Sequence, residues 1–162
     1  MLYKRNLLLF DRETDSLWSQ LLSEAVTGPL AGTRIELLPA ANTTWEEWRD
    51  EHPSTLVLSF DTGYSRTYAA DPYEGYPISR RPALFISTRG ATKIYPFSEL
   101  EGAPSPLVDE VAGRSVTILF DRRSRTATVG AADARQLKYF VSFLDDLKAF
   151  YPESEIFQAS RQ

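Results

Sequence analysis

Apolar residues in this chain come in short runs separated by polar, turn-forming residues, a spacing that predicts mainly strands. Leu7-Leu8-Leu9-Phe10, the polar stretch 11–15 and Ser16-Leu17-Trp18-Ser19 predict a hairpin. Gly28-Pro29-Leu30-Ala31-Gly32 breaks the chain before a short strand over 34–38, which Pro39 closes. Thr44 is placed to cap a helix of about two turns, because its hydroxyl can accept from the Glu47 amide while the Glu47 carboxylate reaches back. Trp45 and Trp48 share one face of that helix and are expected in the core. His52-Pro53 ends it, since a residue before proline is pushed out of the helical region, and 55–59 is expected to follow as a buried strand.

Neither period survives between residues 60 and 82. Strands are predicted over 83–87, 92–96 and 116–121, with turns at Arg89-Gly90 and Gly113-Arg114, and the last of them forms a hairpin with 126–129. Leu137, Phe140, Val141, Leu144, Leu147 and Phe150 recur at three- and four-residue steps, which predicts one face of a long helix starting near Asp133. Tyr151-Pro152 stops it, and Ile156-Phe157 is read as a last short strand.

Two stretches echo each other. Leu8-Leu9-Phe10-Asp11-Arg12 returns as Ile118-Leu119-Phe120-Asp121-Arg122, and Trp45-Glu46-Glu47-Trp48 with His52-Pro53 returns as Leu144-Asp145-Asp146-Leu147 with Tyr151-Pro152. The order suggests two degenerate hairpin–helix–strand repeats, 7–59 and 116–158, each helix covering a sheet that could not bury itself alone. Chance similarity between common turns and caps is the alternative, because the spacings differ.

At 162 residues the chain suits a single domain, 1–162, able to bury a core without staples. A net charge of −4 and dispersed basic residues argue against a nucleic-acid partner. Cysteine is absent, which excludes disulfides, thiolate metal sites and cysteine nucleophiles. The longest apolar run predicts no transmembrane helix, and the N-terminal apolar stretch is too short for a secretory signal, so the compartment stays open.

Candidate chemistry is sparse. His52, the only histidine, would have to carry any triad or histidine metal cluster, and beside a proline at a helix end it reads as structural. Asp11, Glu13 and Asp15 crowd one turn but lack the spacing of a calcium loop, and the second copy has basic residues there. Glu46, Glu47, Asp145 and Asp146 sit adjacent in pairs, which suits a solvated helix face rather than two carboxylates facing across a cleft. The stretch 61–81 differs: Tyr64, Tyr68, Tyr73 and Tyr76 alternate with Arg66, Arg80, Asp71 and Glu74, a mixture of rigid aromatic area and charge that suits recognition. An ordered loop lying over the sheet is the plainer reading of the same residues.

The run from Leu7 to Gln20, then Gly28-Pro29-Leu30-Ala31-Gly32-Thr33, Thr43-Thr44-Trp45-Glu46-Glu47-Trp48, His52-Pro53-Ser54-Thr55, Thr62-Gly63-Tyr64, Asp71-Pro72-Tyr73-Glu74-Gly75-Tyr76 and Ala91-Thr92-Lys93-Ile94-Tyr95-Pro96 together resemble the bacterial family known as domain of unknown function 3179. The resemblance covers most of the chain and weakens toward the C-terminus. It implies no established activity. Members often look exported and carry a paired-cysteine segment upstream of the region where Met1 begins here, so any role resting on those cysteines does not transfer.

The expected fold is therefore α+β and β-dominated, a twisted antiparallel sheet covered by one short and one longer helix. The expected function is a non-catalytic binding or interaction module without cofactor or metal, its ligand-binding residues Tyr64, Arg66, Tyr68, Asp71, Tyr73, Glu74 and Tyr76, its partner a small molecule or a protein, with a homo-oligomer left open. The alternatives are a hydrolase-like enzyme using Asp61, Asp71 and Glu74, and a structural subunit of a larger assembly.

Overall fold

Ala83-Leu84-Phe85-Ile86 has no polar residue at alternate positions, so as a strand it must be covered on both faces. The structure, a computed structural model that describes residues 2–4, 6–38, 40, 42–59, 61 and 81–160, covers it in that way. Eleven strands and four helices follow along the described residues. The first sheet is an antiparallel meander of β1 (Leu2–Tyr3), β2 (Asn6–Asp11), β3 (Ser16–Ser19) and β4 (Glu24–Thr27). Helix α1 (Trp45–Glu51) comes next. The hairpin β5 (Pro82–Thr88) and β6 (Ala91–Pro96) turns through Arg89 and Gly90, both in the left-handed region, and runs into α2 (Phe97–Leu100). A second meander is made of β7 (Leu107–Val111), β8 (Arg114–Asp121) and β9 (Thr126–Val129), followed by α3 (Ala131–Ala134), β10 (Lys138–Phe143), α4 (Leu144–Phe150) and β11 (Glu155–Ile156).

The central sheet has the order β10-β5-β6-β11, antiparallel except where β11 joins β6 in parallel with Ile156 opposite Ile94. One of its faces, with Leu84, Ile86 and Tyr95, packs on the inner face of β8 and β9, Val116, Ile118, Phe120, Ala127 and Val129. The other, with Ala83, Phe85 and Ile94, is covered by Leu144, Leu147 and Phe150 of α4 and by Leu21. The β-dominated α+β class expected from the sequence holds, with the strands divided among three sheets.

Local chemistry explains the parts that the sequence forecasts well. Asp11 Oδ1 accepts from the Glu13 amide at 2.9 Å and Asp121 Oδ1 from the Arg123 amide at 2.7 Å, so the same Asx turn closes both echoed hairpins. Asp15 and Arg125 complete those turns with φ of 54° and 52°. The capping box at Thr44 and Glu47 is present, and α1 has two turns.

Four expectations fail. The long helix from Asp133 does not form: residues 138–143 are β10, and only 144–150 remain helical. Lys138-Tyr139-Phe140-Val141-Ser142-Phe143 is aromatic and β-branched, and it pairs with β5. Phe140 faces the α4 side while Tyr139 and Val141 face the β8–β9 side, so apolar residues at both parities imitate a helical period. The strand at 34–38 is reduced to one bridge, Glu24 to Arg34, flanked by backbone bonds from the Ala25 amide to Thr33 and from the Ile35 amide to Ser23, because past Ile35 its antiparallel partners would be the turn residues 20–22. Residues 55–59 are neither strand nor buried; no described strand lies beside them. Trp45 and Trp48 are not core, and α1 buries no residue.

Candidate functional site

The residues that the sequence singles out, Tyr64, Arg66, Tyr68, Asp71, Tyr73, Glu74 and Tyr76, lie outside the described residues. Asp61, at the border of that stretch, is exposed, and its amide donates to Ser59 Oγ at 3.0 Å. His52 is the C-cap of α1: its amide donates to the Trp48 carbonyl at 2.8 Å and its ring stacks 4.0 Å from the Trp48 ring. Both of its visible roles are structural.

Two arrangements stand out among the described residues. The first is ionic. Lys93 and Tyr95 alternate along β6 and therefore face the same way, toward β7. Lys93 is buried, with Nζ 2.9 Å from Asp109 Oδ2 on β7 and 2.7 Å from Glu155 Oε1 on β11, and the Tyr95 hydroxyl donates to Asp109 Oδ2 at 3.0 Å. Burial opposes the Lys93 charge, but the bonds to Glu155 and Asp109 outweigh it and raise the ammonium above the ordinary lysine value. Burial likewise opposes ionisation of Asp109, and the Lys93 bond, the Glu110 amide and the Tyr95 hydroxyl overcome it, holding the carboxyl below its ordinary range. The Tyr95 hydroxyl is pushed up by burial and by the neighbouring Asp109 charge, so it stays protonated. Sequence reasoning missed this group. The available signal was a lone lysine at an inward-facing parity of a strand that otherwise reads as core.

The second arrangement is apolar and exposed. Trp45 and Trp48 on α1 are 52% and 41% exposed, and in the segment after the helix Leu56, Val57 and Leu58 reach 96%, 68% and 87%. The Trp48 indole N–H donates to Thr55 Oγ1 at 3.0 Å, which ties the segment to the helix. Beside the N-terminal half of α1 a groove of about 270 Å³ is lined by Thr44, Glu46, Glu47, Asp50, Arg123 and Ser124. Among the described residues no group of three or more His, Cys, Asp or Glu side chains is placed to hold a metal ion. No helix of the described residues is long and apolar enough to cross a membrane.

Fold and site together define a β-dominated α+β protein that combines a buried ionic group with an exposed aromatic helix. The family described as protein of unknown function DUF3179 matches residues 1–157, and the chain belongs to that family. No curated protein and no solved structure matches it.

Proposed function

We propose that this chain is a non-catalytic binding module that recognises a protein or small molecule through exposed aromatic and aliphatic side chains. The observation that carries this reading is the exposure of Trp45, Trp48, Leu56, Val57 and Leu58 together on one helix and the segment tied to it. Large apolar residues left open in one place mark interaction sites, and tryptophan and tyrosine dominate such contacts because they bring area at little entropic cost. The tyrosine-rich stretch with Tyr64, Arg66, Tyr68, Asp71, Tyr73, Glu74 and Tyr76 has a composition that suits the same kind of recognition.

The hydrolase alternative draws less support. A general acid at neutral pH needs a carboxyl whose affinity for its proton is raised. Of the acids that reading would use, Asp61 is exposed and Asp71 and Glu74 lie outside the described residues, so no described cleft supports it. Packing within a larger assembly is favoured by the same exposed side chains, and it differs from ligand binding in what is retained.

Native mass spectrometry of the purified chain is the test. A retained species that disappears from Trp45→Ala/Trp48→Ala or from Tyr73→Ala/Tyr76→Ala, with circular dichroism unchanged, supports the reading. Retention that neither double variant alters overturns it, and a clean homo-oligomer selects the assembly reading.

A further inference from the structure

Helices α1 and α4 are both seven residues long and share a backbone course beyond their ends. His52 caps the first at φ −129°, ψ 66°, and Tyr151 caps the second at φ −127°, ψ 66°. Each cap amide donates to the carbonyl four residues back, Trp48 or Leu147, at 2.8 Å, and a proline follows each cap. The Thr55 amide then donates to the His52 carbonyl at 3.0 Å, as the Ser154 amide does to the Tyr151 carbonyl at 3.1 Å. Residue by residue, Trp45, Glu46, Trp48 and Val57 occupy the places of Leu144, Asp145, Leu147 and Ile156.

The surroundings differ. Leu144 and Leu147 are buried on the β5–β6 hairpin, and Asp145 is paired with Arg81, which leads into β5. The chain after α4 then adds to β6 in parallel through Glu155 and Ile156, and the Phe157 amide donates to the Ile94 carbonyl at 2.9 Å. The same course in the first unit leaves Trp45, Trp48 and residues 56–58 exposed.

We infer that α1 and residues 55–58 form a docking unit for an apolar antiparallel β-hairpin supplied by a partner, whose second strand receives residues 56–58 in parallel. The inference rests on the binding-module reading and names its partner. Charge selects within that class. Glu46 holds the place of Asp145, so the fitting hairpin is led by a basic residue as β5 is led by Arg81, whereas Glu47 and Asp50 are already engaged by Thr43 and Thr44 and by Arg49. The β5–β6 hairpin of a second copy is not the occupant, because it already carries α4 and β11. Strand addition supplies backbone hydrogen bonds, and the tryptophans supply the covered area.

The test uses the full chain and, as probe, a synthetic peptide of residues 81–97, the hairpin that α4 covers. In the chain alone the amides of 56–58 exchange rapidly, and peptide slows them by about tenfold or more. Trp48→Ser and Val57→Lys each abolish that protection while leaving exchange in β5 and β8 unchanged. Glu46→Lys weakens the peptide by about two- to fivefold, and a peptide carrying Arg81→Glu recovers the loss. Absence of protection at saturating peptide overturns the inference. So does protection of 56–58 in the chain alone, which would place the cover within the chain, or protection that tracks dimer formation, which would make a second copy the occupant. If the peptide fails while a species retained in native mass spectrometry still depends on Trp45 and Trp48, the hairpin is lost and the binding module stands.

Discussion

Lys93 on β6 and Asp109 on β7 meet at 2.9 Å, and through them the central sheet is joined to the second meander at a place where both flanking layers are otherwise apolar. Glu155 adds β11 to the same lysine, but its side chain is mostly in solvent and its share is small. Removing one partner of such a pair leaves a charge without its counterion in a poorly hydrated place. Lys93→Met should therefore cost about 3 kcal/mol, at the lower end for buried pairs because Asp109 keeps some contact with water. Lys93→Met with Asp109→Asn should recover most of it, since Asn can still accept from Tyr95. Urea denaturation of both variants checks this; equal losses would show that the charge pairing is not what the clasp supplies.

The same group sets a pH window. Asp109 is held below its ordinary value, so its contribution is complete above the unfolded carboxyl range and is lost as pH falls through its folded value, below about pH 4. Tyr95 and Lys93 are raised, so their contributions are complete below their unfolded values and are lost as pH climbs past about 10. Denaturation midpoints across pH should form a plateau between those limits, and Asp109→Asn should flatten the acid edge.

Leu147 and Trp48 hold matching places on their helices, one fully buried and the other open. Leu147→Ala should cost about 2–5 kcal/mol because the cavity left beneath α4 cannot collapse against a sheet. Trp48→Ala should cost only about 1 kcal/mol, since it loses the bond to Thr55 and the contact with the His52 ring but opens no cavity. Thermal melts of the two variants make the comparison directly.

Gly28 and Gly32 separate close approach from backbone conformation. Both have positive φ, 92° and 85°, but a Cβ at Gly28 would lie 2.7 Å from Ser16 Cα and 2.8 Å from the Asp15 carbonyl oxygen, whereas one at Gly32 meets nothing within 4 Å. Gly32→Ala should cost about 1–2 kcal/mol, the left-handed penalty alone. Gly28→Ala should cost clearly more and disturb the β2–β3 turn, which amide chemical shifts at Asp15 and Ser16 would report.

What could be read from the sequence was local. The Asx turns at Asp11 and Asp121, the capping box at Thr44 and the hairpin through Arg89-Gly90 depend on residues a few positions apart, and each is where its chemistry places it. What could not be read depends on partners far along the chain. Residues 138–143 become a strand because β5 lies free to pair, and residues 56–58, as apolar as any core strand, stay open because no described strand lies beside them. The clasp gathers residues 93, 95, 109 and 155, which no short motif could connect. The tyrosine-rich stretch drew attention by composition alone, and composition does not fix geometry.

The order of strands in the central sheet also bears on how the protein is made. β5 and β6 are adjacent in sequence and can pair as soon as both leave the ribosome, but β10, which closes the other edge of β5, begins only at Lys138. Until then the nascent chain carries an almost wholly apolar strand with one side of its backbone unpaired, the kind of edge that recruits neighbouring chains. Between synthesis of Ile86 and of Val141 that edge of β5 is therefore open, and the outer edge of β6 stays open until Glu155 and Ile156 are made.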